Sequence, residues 1–489
     1  MKTEKNEFKK GINLIAGIAL VAGSMIGSGI FIVSADIARN LGSPFYLLLT
    51  WIITGLLTII AALSYGELAA MMPKAGGQYV YLKEAFNPMV GFLYGWTLFL
   101  VIQTGTIAAV AVAFAKFTGV LIPVLNEKNI LLYIFGFQVS AAQIFAIISI
   151  ITLTFINYRG IKNGKILQVS FTIAKLCAII GLIVLGLITA SKLNFWTINF
   201  SDIWTVSATV LDKNTSMISI HQVSGLAVFS AIGIAMVGSI FSSDAWNNVT
   251  FIAGEMKTPK KNIPLSLFWG VLIVTVIYIL ANIVYLGLLP VKGNPEAIDI
   301  VGRGIQFASS DRVGVAAAFQ IFGDSAAIIM AVLIMISTFG CNNGLILSGA
   351  RVYYAMANDG LFIKQVAKMN KFFVPGVALI LQCIWASILC ISGRYGDLLD
   401  YVVFAVLLFY ILTMIGLFVL RIKKPDLERP YKAFGYPILP ALYIIVAFAI
   451  CIDLLIYKPN YTWPGIIIVI LGIPVYYLIN RRREHINND

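Results

Sequence analysis

The chain has 489 residues, of which 60% are hydrophobic and 12% charged, with a net charge of +13 and a mean hydropathy of +0.91. Soluble domains average about half apolar and a quarter charged residues, so these values exclude a soluble globular domain and point to a polytopic membrane protein. The two histidines, His221 and His485, fall outside the apolar runs, which excludes a haem-bearing respiratory subunit with axial ligands inside the bilayer.

Taken in chain order, the apolar runs predict twelve membrane spans near 12–38, 43–65, 88–123, 138–157, 166–190, 223–252, 264–290, 315–352, 374–393, 398–421, 437–457 and 463–480. No short apolar stretch is followed by a small-residue cleavage site, so the first span is expected to be retained. With the N-terminus placed in the cytoplasm, 24 of the 35 Lys and Arg residues fall in cytoplasmic segments and ten in external ones, while Lys175 lies inside a span. That bias follows the positive-inside rule. The excess charge therefore reads as an orientation signal rather than a nucleic-acid footprint, with both termini cytoplasmic. Cys177, Cys341, Cys383, Cys390 and Cys451 all lie in apolar segments, as small core residues do. The 191–222 and 291–314 stretches read as external loops with room for short helices, and no segment is large enough for a separate soluble domain.

The first span contains G-S-M-I-G-S-G-I-F, from Gly23 to Phe31. Each interior glycine costs a helix roughly 1 kcal/mol relative to alanine. Close helix packing accounts for isolated glycines, but Gly27, Ser28 and Gly29 cluster in one turn and would free several backbone N–H groups together. In hydrocarbon such groups need partners, and a substrate carboxylate is one. The sixth span carries G-S-I-F-S-S-D, Gly238 to Asp244, at the corresponding depth. Paired breaks of this kind are expected of a transporter built from inverted repeats. The predicted organisation is one transmembrane domain, 1–489, with a first five-helix repeat at 12–190, a second inverted one at 223–421, and helices eleven and twelve at 437–480.

These segments, together with L-Q-V-S-F-T-I-A-K in span five, S-D-A-W and I-A-G-E-M-K-T-P around span six, F-G-C-N-N-G before Arg351 and K-P-D-L-E-R-P-Y-K after span ten, resemble the L-type amino acid transporter branch of the amino acid-polyamine-organocation superfamily. The resemblance covers nearly the whole chain in the same order. It implies an all-α, LeuT-like fold of twelve helices and sodium-independent exchange of L-amino acids by alternating access. It implies that amides of Ile26, Gly27, Ser28 and Gly29 hold the substrate carboxylate. It further implies that carbonyls of Phe241, Ser242 and Asp244 accept the ammonium, with the Phe241 ring as a thin gate. Half-helix dipoles would favour both charges without a formal protein charge in hydrocarbon.

An intramembrane lysine is costly and so marks a functional hypothesis. The resemblance places the Lys175 ammonium where sodium-coupled relatives hold a cation, bonded to a carbonyl near Gly23 and to the Ser337 hydroxyl. The other reading is a lysine snorkelling to the interface past about two helical turns. Asp244 reads as an N-cap for the second half of helix six, beside the pocket; the other reading is a carboxylate that shapes side-chain selectivity or carries a proton. Ser243, Trp246 and Asn247 are expected to support the site by packing or hydrogen bonding. Asn282, Tyr285, Asn342 and Asn343 are expected to stabilise helices within the bundle. Glu67 and Glu255, near cytoplasmic helix ends, are expected to pair with local basic residues and form an inner gate.

Close members of that family often carry F-A-Y-x-G-W at helix six, where this chain has F-S-S-D-A-W; Ser243 and Ala245 thus leave the substrate side chain open. Animal members tether a glycoprotein through an external cysteine. The I-P-V-L-N-E-K-N-I-L-L-Y segment has none, so a stand-alone monomer without a disulfide-linked heavy chain is expected. No metal cluster, cofactor loop or nucleophile-histidine pair is present to support an enzyme. The expected protein is an exchanger of neutral L-amino acids in the cell membrane. Proton-coupled symport and a membrane-embedded sensor remain as alternatives.

Overall fold

The computed structural model describes residues 8–134, 137–211, 218–392 and 395–488. Lys2, Lys5, Lys213 and Arg394 of the charge count lie outside the described residues. Among the described residues, nine helical runs are long and apolar enough to cross a membrane. Three shorter apolar helices, Leu14–Met25, Ala227–Ser242 and Gly376–Ile391, accompany them.

Helix α1 (Leu14–Met25) starts where the Asn13 side chain accepts from Ala16 N at 3.0 Å, the standard satisfaction of an orphan amide. It stops at Ile26, whose backbone turns extended. A 3-10 turn over Gly29–Phe31 leads into α2 (Val33–Leu41), ended by Gly42 at φ 56, a left-handed position that glycine takes without steric cost. Ser43 and Pro44 open α3 (Pro44–Met71). A helix with no counterpart in the sequence reading, α4 (Gln78–Ala85), precedes α5 (Pro88–Thr97). A π turn, Leu98–Ile102, joins α5 to α6 (Gln103–Leu121). A hairpin of β1 (Ile130–Ile134) and β2 (Phe137–Ser140) then leads to α7 (Ala141–Tyr158), which begins with a Ser140–Gln143 capping box. Helix α8 (Ile161–Ala190) carries Lys175.

The second half begins with α9 (Phe195–Asn199) and an antiparallel hairpin of β3 (Val206–Leu211) and β4 (Ile218–Val223). The 191–222 loop carries the expected short helix, α9, and in addition this hairpin, whose V-S-A-T-V-L strand is rich in β-branched residues and packs against α2, with Val206 buried. The sixth span consequently starts later than expected, as α10 (Ala227–Ser242), breaks, and resumes as the one-turn α11 (Asn248–Phe251). There follow α12 (Pro259–Leu288), α13 (Ile300–Arg303), α14 (Val313–Phe322) and α15 (Ala326–Asn358). The eighth apolar run extends beyond its expected end at 352 and is interrupted at Gly323–Ser325. Helices α16 (Gly376–Ile391), α17 (Tyr395–Lys423), α18 (Ile438–Tyr457) and α19 (Pro459–Asn488) complete the chain.

Helix α1 packs against α8, α12 and α15, while α10 packs against α2, α3 and α18. The first broken helix is thus flanked by long helices, and the buried end of the second packs on the continuation of the first, α2, and on α3 and α18. Ion pairs tie elements together at both ends. On the face bearing the N-terminus, Arg421 reaches Glu67 at 2.6 Å, Lys83 reaches Asp359 at 2.6 Å, and Arg351 reaches Glu255 at 2.9 Å. On the opposite face Arg39 of α2 reaches Asp311 at 2.6 Å. Glu255 and Arg351 are each 1% exposed. Burial pushes the Glu255 carboxyl above its usual range and the Arg351 charge opposes that shift.

Candidate functional site

Breaking a helix inside a bundle leaves orphan carbonyls on one side and orphan amides on the other. At the end of α1 every carbonyl from Gly23 to Gly27 has a partner from another helix. Lys175 Nζ of α8 donates to Gly23 O at 2.9 Å and Ile26 O at 2.8 Å. Cys341 Sγ of α15 reaches Ser24 O at 2.9 Å, and Tyr278 Oη of α12 reaches Met25 O at 3.2 Å. Ser337 Oγ of α15 donates to Ile26 O at 3.0 Å and to Gly27 O at 2.9 Å.

The amides on the other side of the break behave differently. Ile26 N still donates into α1, to Ala22 O at 3.0 Å. Among the described residues, the N–H groups of Gly27, Ser28, Gly29 and Ile30 donate to no acceptor. They form the amino-terminal edge of the 3-10 turn and α2, where the peptide dipoles favour negative charge. Ser28 is partly exposed while its neighbours are buried.

The second break faces the first. Tyr278 Oη also donates to Ser242 O at 3.1 Å, so one hydroxyl bridges the last residue of α1 and the last of α10. A Cβ placed on Gly29 would stand 2.1 Å from Ser242 Oγ. The carboxyl-terminal edge of α10 is thus held directly against the free amides. Phe241 O accepts from Asp244 N at 3.2 Å and Ser242 O from Tyr278, whereas Asp244 O accepts nothing among the described residues. Carbonyl oxygens carry two lone pairs each, so all three can still accept an ammonium.

Several expectations change in detail. The third partner of Lys175 is the Ser337 carbonyl, at 2.7 Å, rather than its hydroxyl, which turns instead to the end of α1. Lys175 is 0% exposed, which removes the snorkelling reading. Asp244 does not cap the resumed helix: its Oδ1 accepts from Tyr410 Oη at 2.5 Å, and the residue at the start of α11 is Asn247. The Asp244 carboxylate, three residues earlier, is drawn instead to the Tyr410 hydroxyl of α17. Tyr285 takes no part in the break, and its buried hydroxyl has no partner among the described residues. Asn282 accepts from Ser34 of α2 and Asn343 donates to Gly164 O and to Gln168 Oε1 of α8, both holding helices together. Asn342, by contrast, has no partner among the described residues.

Beneath the break Trp246 packs edge-on to Tyr65 with centroids 4.8 Å apart and tilts against Tyr410 at 5.2 Å. Asn247 Nδ2 donates to Gln78 Oε1 of α4 at 2.9 Å. Asp244 borders two small cavities of about 20 Å³ each, one shared with Gln78, Gln103 and Asn247, the other with Thr54, Ser243 and Trp246. Each has room for about one water. Tyr278, Tyr410, Gln78 and Cys341 were not singled out from the sequence. The one available signal for Tyr278 was its position one turn before Asn282 on the same face of an apolar span.

Ala245 lies between the two half-helices at φ 65, a region that costs an L-residue about 1–2 kcal/mol. Ala245→Gly is expected to stabilise the protein by about 1 kcal/mol, part of the relief being offset by the freer unfolded chain. Thermal unfolding of the purified variant tests this; a lower midpoint would show that the methyl packing outweighs the strain.

A family profile described as "Amino acid permease" matches residues 12–476. The chain is 30% identical over 486 residues to the serine/threonine exchanger SteT of Bacillus subtilis (strain 168), covering 99% of this chain and 100% of that protein. It is 29% identical over 472 residues to the large neutral amino acids transporter small subunit 2 of Homo sapiens, covering 96% and 80% respectively. With the b(0,+)-type amino acid transporter 1 of Mus musculus the identity is 27% over 474 residues, 96% of this chain and 88% of the relative.

Proposed function

Because the chain belongs to the amino acid permease family, we propose that it exchanges neutral L-amino acids without sodium, holding the zwitterion between the facing breaks of α1 and α10. It is a multi-pass amino acid transporter rather than an enzyme. The observation that carries the finer reading is the asymmetry at the first break. Each of its carbonyls already has a donor from α8, α12 or α15, while four amides next to them have no acceptor among the described residues and face the carbonyl end of α10. A carboxylate fits the first edge and an ammonium the second, and both dipoles favour that orientation.

In this reading the nine long runs and three shorter helices make twelve spans, grouped as inverted repeats 12–190 and 223–421 with two helices after them. The N-terminal face is then cytoplasmic, an orientation the excess of basic residues supports. The Glu67–Arg421 and Glu255–Arg351 pairs then close the inner end and Arg39–Asp311 the outer. The exchanger name of the bacterial relative supports exchange and small polar substrates for this chain; the lack of a cysteine in the I-P-V-L-N-E-K-N-I-L-L-Y segment supports a monomer without a disulfide-linked heavy chain. Asp244, a carboxylate at the break held by Tyr410, is the one feature that favours proton coupling instead.

Purified protein in vesicles is expected to take up labelled serine in sodium-free buffer only when an unlabelled amino acid is trapped inside. Strict sodium dependence would reject the proposal. Accumulation into empty vesicles under a pH gradient would select symport through Asp244.

A further inference from the structure

On the N-terminal face, away from the breaks, lies a cleft of about 520 Å³. Lys9 and Lys10 enter it from the arm before α1, and Arg159, Lys162 and Lys165 from the junction of α7 and α8. Lys257 follows the second broken helix, and Lys371 sits in the loop after α15. No carboxylate lines the cleft among the described residues, and none of these seven cations is in an ion pair among them. Elsewhere on the same face five cations are neutralised, Lys83 by Asp359, Lys260 by Glu428, Arg351 by Glu255, Arg421 by Glu67 and Lys424 by Glu84, while Lys364, Lys368 and Lys423 do not line this cleft. The positive-inside rule explains which side the cleft residues occupy, but not their convergence in a concave site without counter-charge.

The cleft continues into a second chamber of about 400 Å³ that shares Arg159, Lys371 and Phe372 and adds Phe155. This chamber opens onto the outer face of α7. There Ile148, Ile151 and Phe155 stand 50%, 52% and 54% exposed, one helical stripe ending at Arg159. The Arg159 guanidinium lies 4.4 Å from the Phe155 ring centroid and the Lys371 ammonium 5.2 Å from that of Phe372. Cationic heads above, an apolar stripe below and aromatic rings at the junction match a lipid with a charged phosphate and an acyl chain.

We propose that this cleft binds the headgroup phosphate of an anionic phospholipid of the same leaflet, with an acyl chain laid along Ile148, Ile151 and Phe155. The site also joins three separate elements. Lys165 Nζ donates to Gly11 O at 3.1 Å, Lys257 N to Ile12 O at 2.8 Å, and Ile12 pairs with Met256. A lipid phosphate in the cleft therefore bridges the arm leading into α1, the segment after the second break and the start of the Lys175 helix.

Native mass spectrometry of the full-length protein, exchanged into phosphatidylglycerol or phosphatidylcholine, tests the site without reference to transport. Phosphatidylglycerol is expected to be retained in preference to phosphatidylcholine. The triple variant Arg159→Gln, Lys162→Gln, Lys371→Gln is expected to bind it about a hundredfold more weakly, roughly fivefold for each charge. A charge-preserving triple, Arg159→Lys, Lys162→Arg, Lys371→Arg, is expected to bind like the parent. Lys364→Gln, Lys368→Gln, Lys423→Gln, with the same charge loss outside the cleft, is also expected to bind like the parent. Equal loss in the two glutamine triples would reduce the effect to diffuse surface charge and overturn the site. Absence of any preference for phosphatidylglycerol would do the same. Displacement of phosphatidylglycerol by inorganic phosphate would assign the cleft to a soluble anion and overturn the lipid. If the first triple fails to fold, the exposed single change Lys162→Glu carries the same test, with weakened retention expected and parental retention overturning the proposal.

Discussion

Lys175→Ala is expected to reduce amino acid exchange at least about tenfold while leaving the amount of membrane-inserted protein near that of the parent. The ammonium is fully buried and donates to three backbone carbonyls, Gly23 and Ile26 of the α1 terminus and Ser337 of α15, at 2.7–2.9 Å. Hydrogen bonds from a charged donor contribute roughly 1.5–3 kcal/mol each. Its removal leaves the Gly23 carbonyl without a partner and releases the tie between α8 and the broken end of α1. Ile26 O keeps its bond from Ser337 Oγ, so the terminus is loosened rather than lost. Lys175→Met retains much of the buried stem and should fail in the same way, which separates loss of the donor from loss of packing. Counterflow normalised to incorporated protein is the measurement; parental exchange in either variant would remove Lys175 from the mechanism.

Gly29→Ala is expected to lower both stability and exchange, whereas Gly27→Ala should leave stability close to the parent. The two glycines look equivalent in the sequence, and a bulkier residue at either would be expected to block the carboxylate. Their surroundings separate them. A Cβ at Gly29 would meet Ser242 Oγ at 2.1 Å and Ser242 Cβ at 2.8 Å, forcing the 3-10 turn away from α10. Overpacking of this kind costs about 1–3 kcal/mol. At Gly27 the nearest atom is Cys341 Sγ at 3.7 Å, an ordinary contact. Any loss of exchange in Gly27→Ala with normal thermal unfolding would therefore report on substrate approach to the free amides. The double change Gly29→Ala, Ser242→Gly removes the clashing hydroxymethyl group and should recover part of the lost stability. If Gly29→Ala melts and exchanges like the parent, the two breaks are not packed as described.

Much of the architecture was legible in the residues. Composition and the lengths of the apolar runs indicated a helical membrane protein, since a bilayer demands long segments that satisfy their own backbone groups. The Gly27-Ser28-Gly29 turn located the first break, and the homologous depth of Ser242 to Asp244 located the second. Lys175 stood out because a lysine amid apolar turns has to find partners. Pairing of Glu67 and Glu255 with basic residues was also expected, but with local ones; the partners are instead Arg421 and Arg351, far along the chain and brought close by helix packing.

What the residues alone determined was therefore local: which segments enter the bilayer, where two of them weaken, and which polar groups need a partner. Only the tertiary structure decided who the partners are. It assigned Tyr278 to both breaks, turned Ser337 so that its hydroxyl and its carbonyl serve different groups, and drew Asp244 to Tyr410 instead of to a cap. It also separated Gly27 from Gly29 and gathered seven dispersed cations into one cleft. Hydropathy and glycine content are properties of a single helix, whereas a hydrogen bond or a clash depends on how several helices cross, to within a few tenths of an ångström, and no single segment encodes that distance.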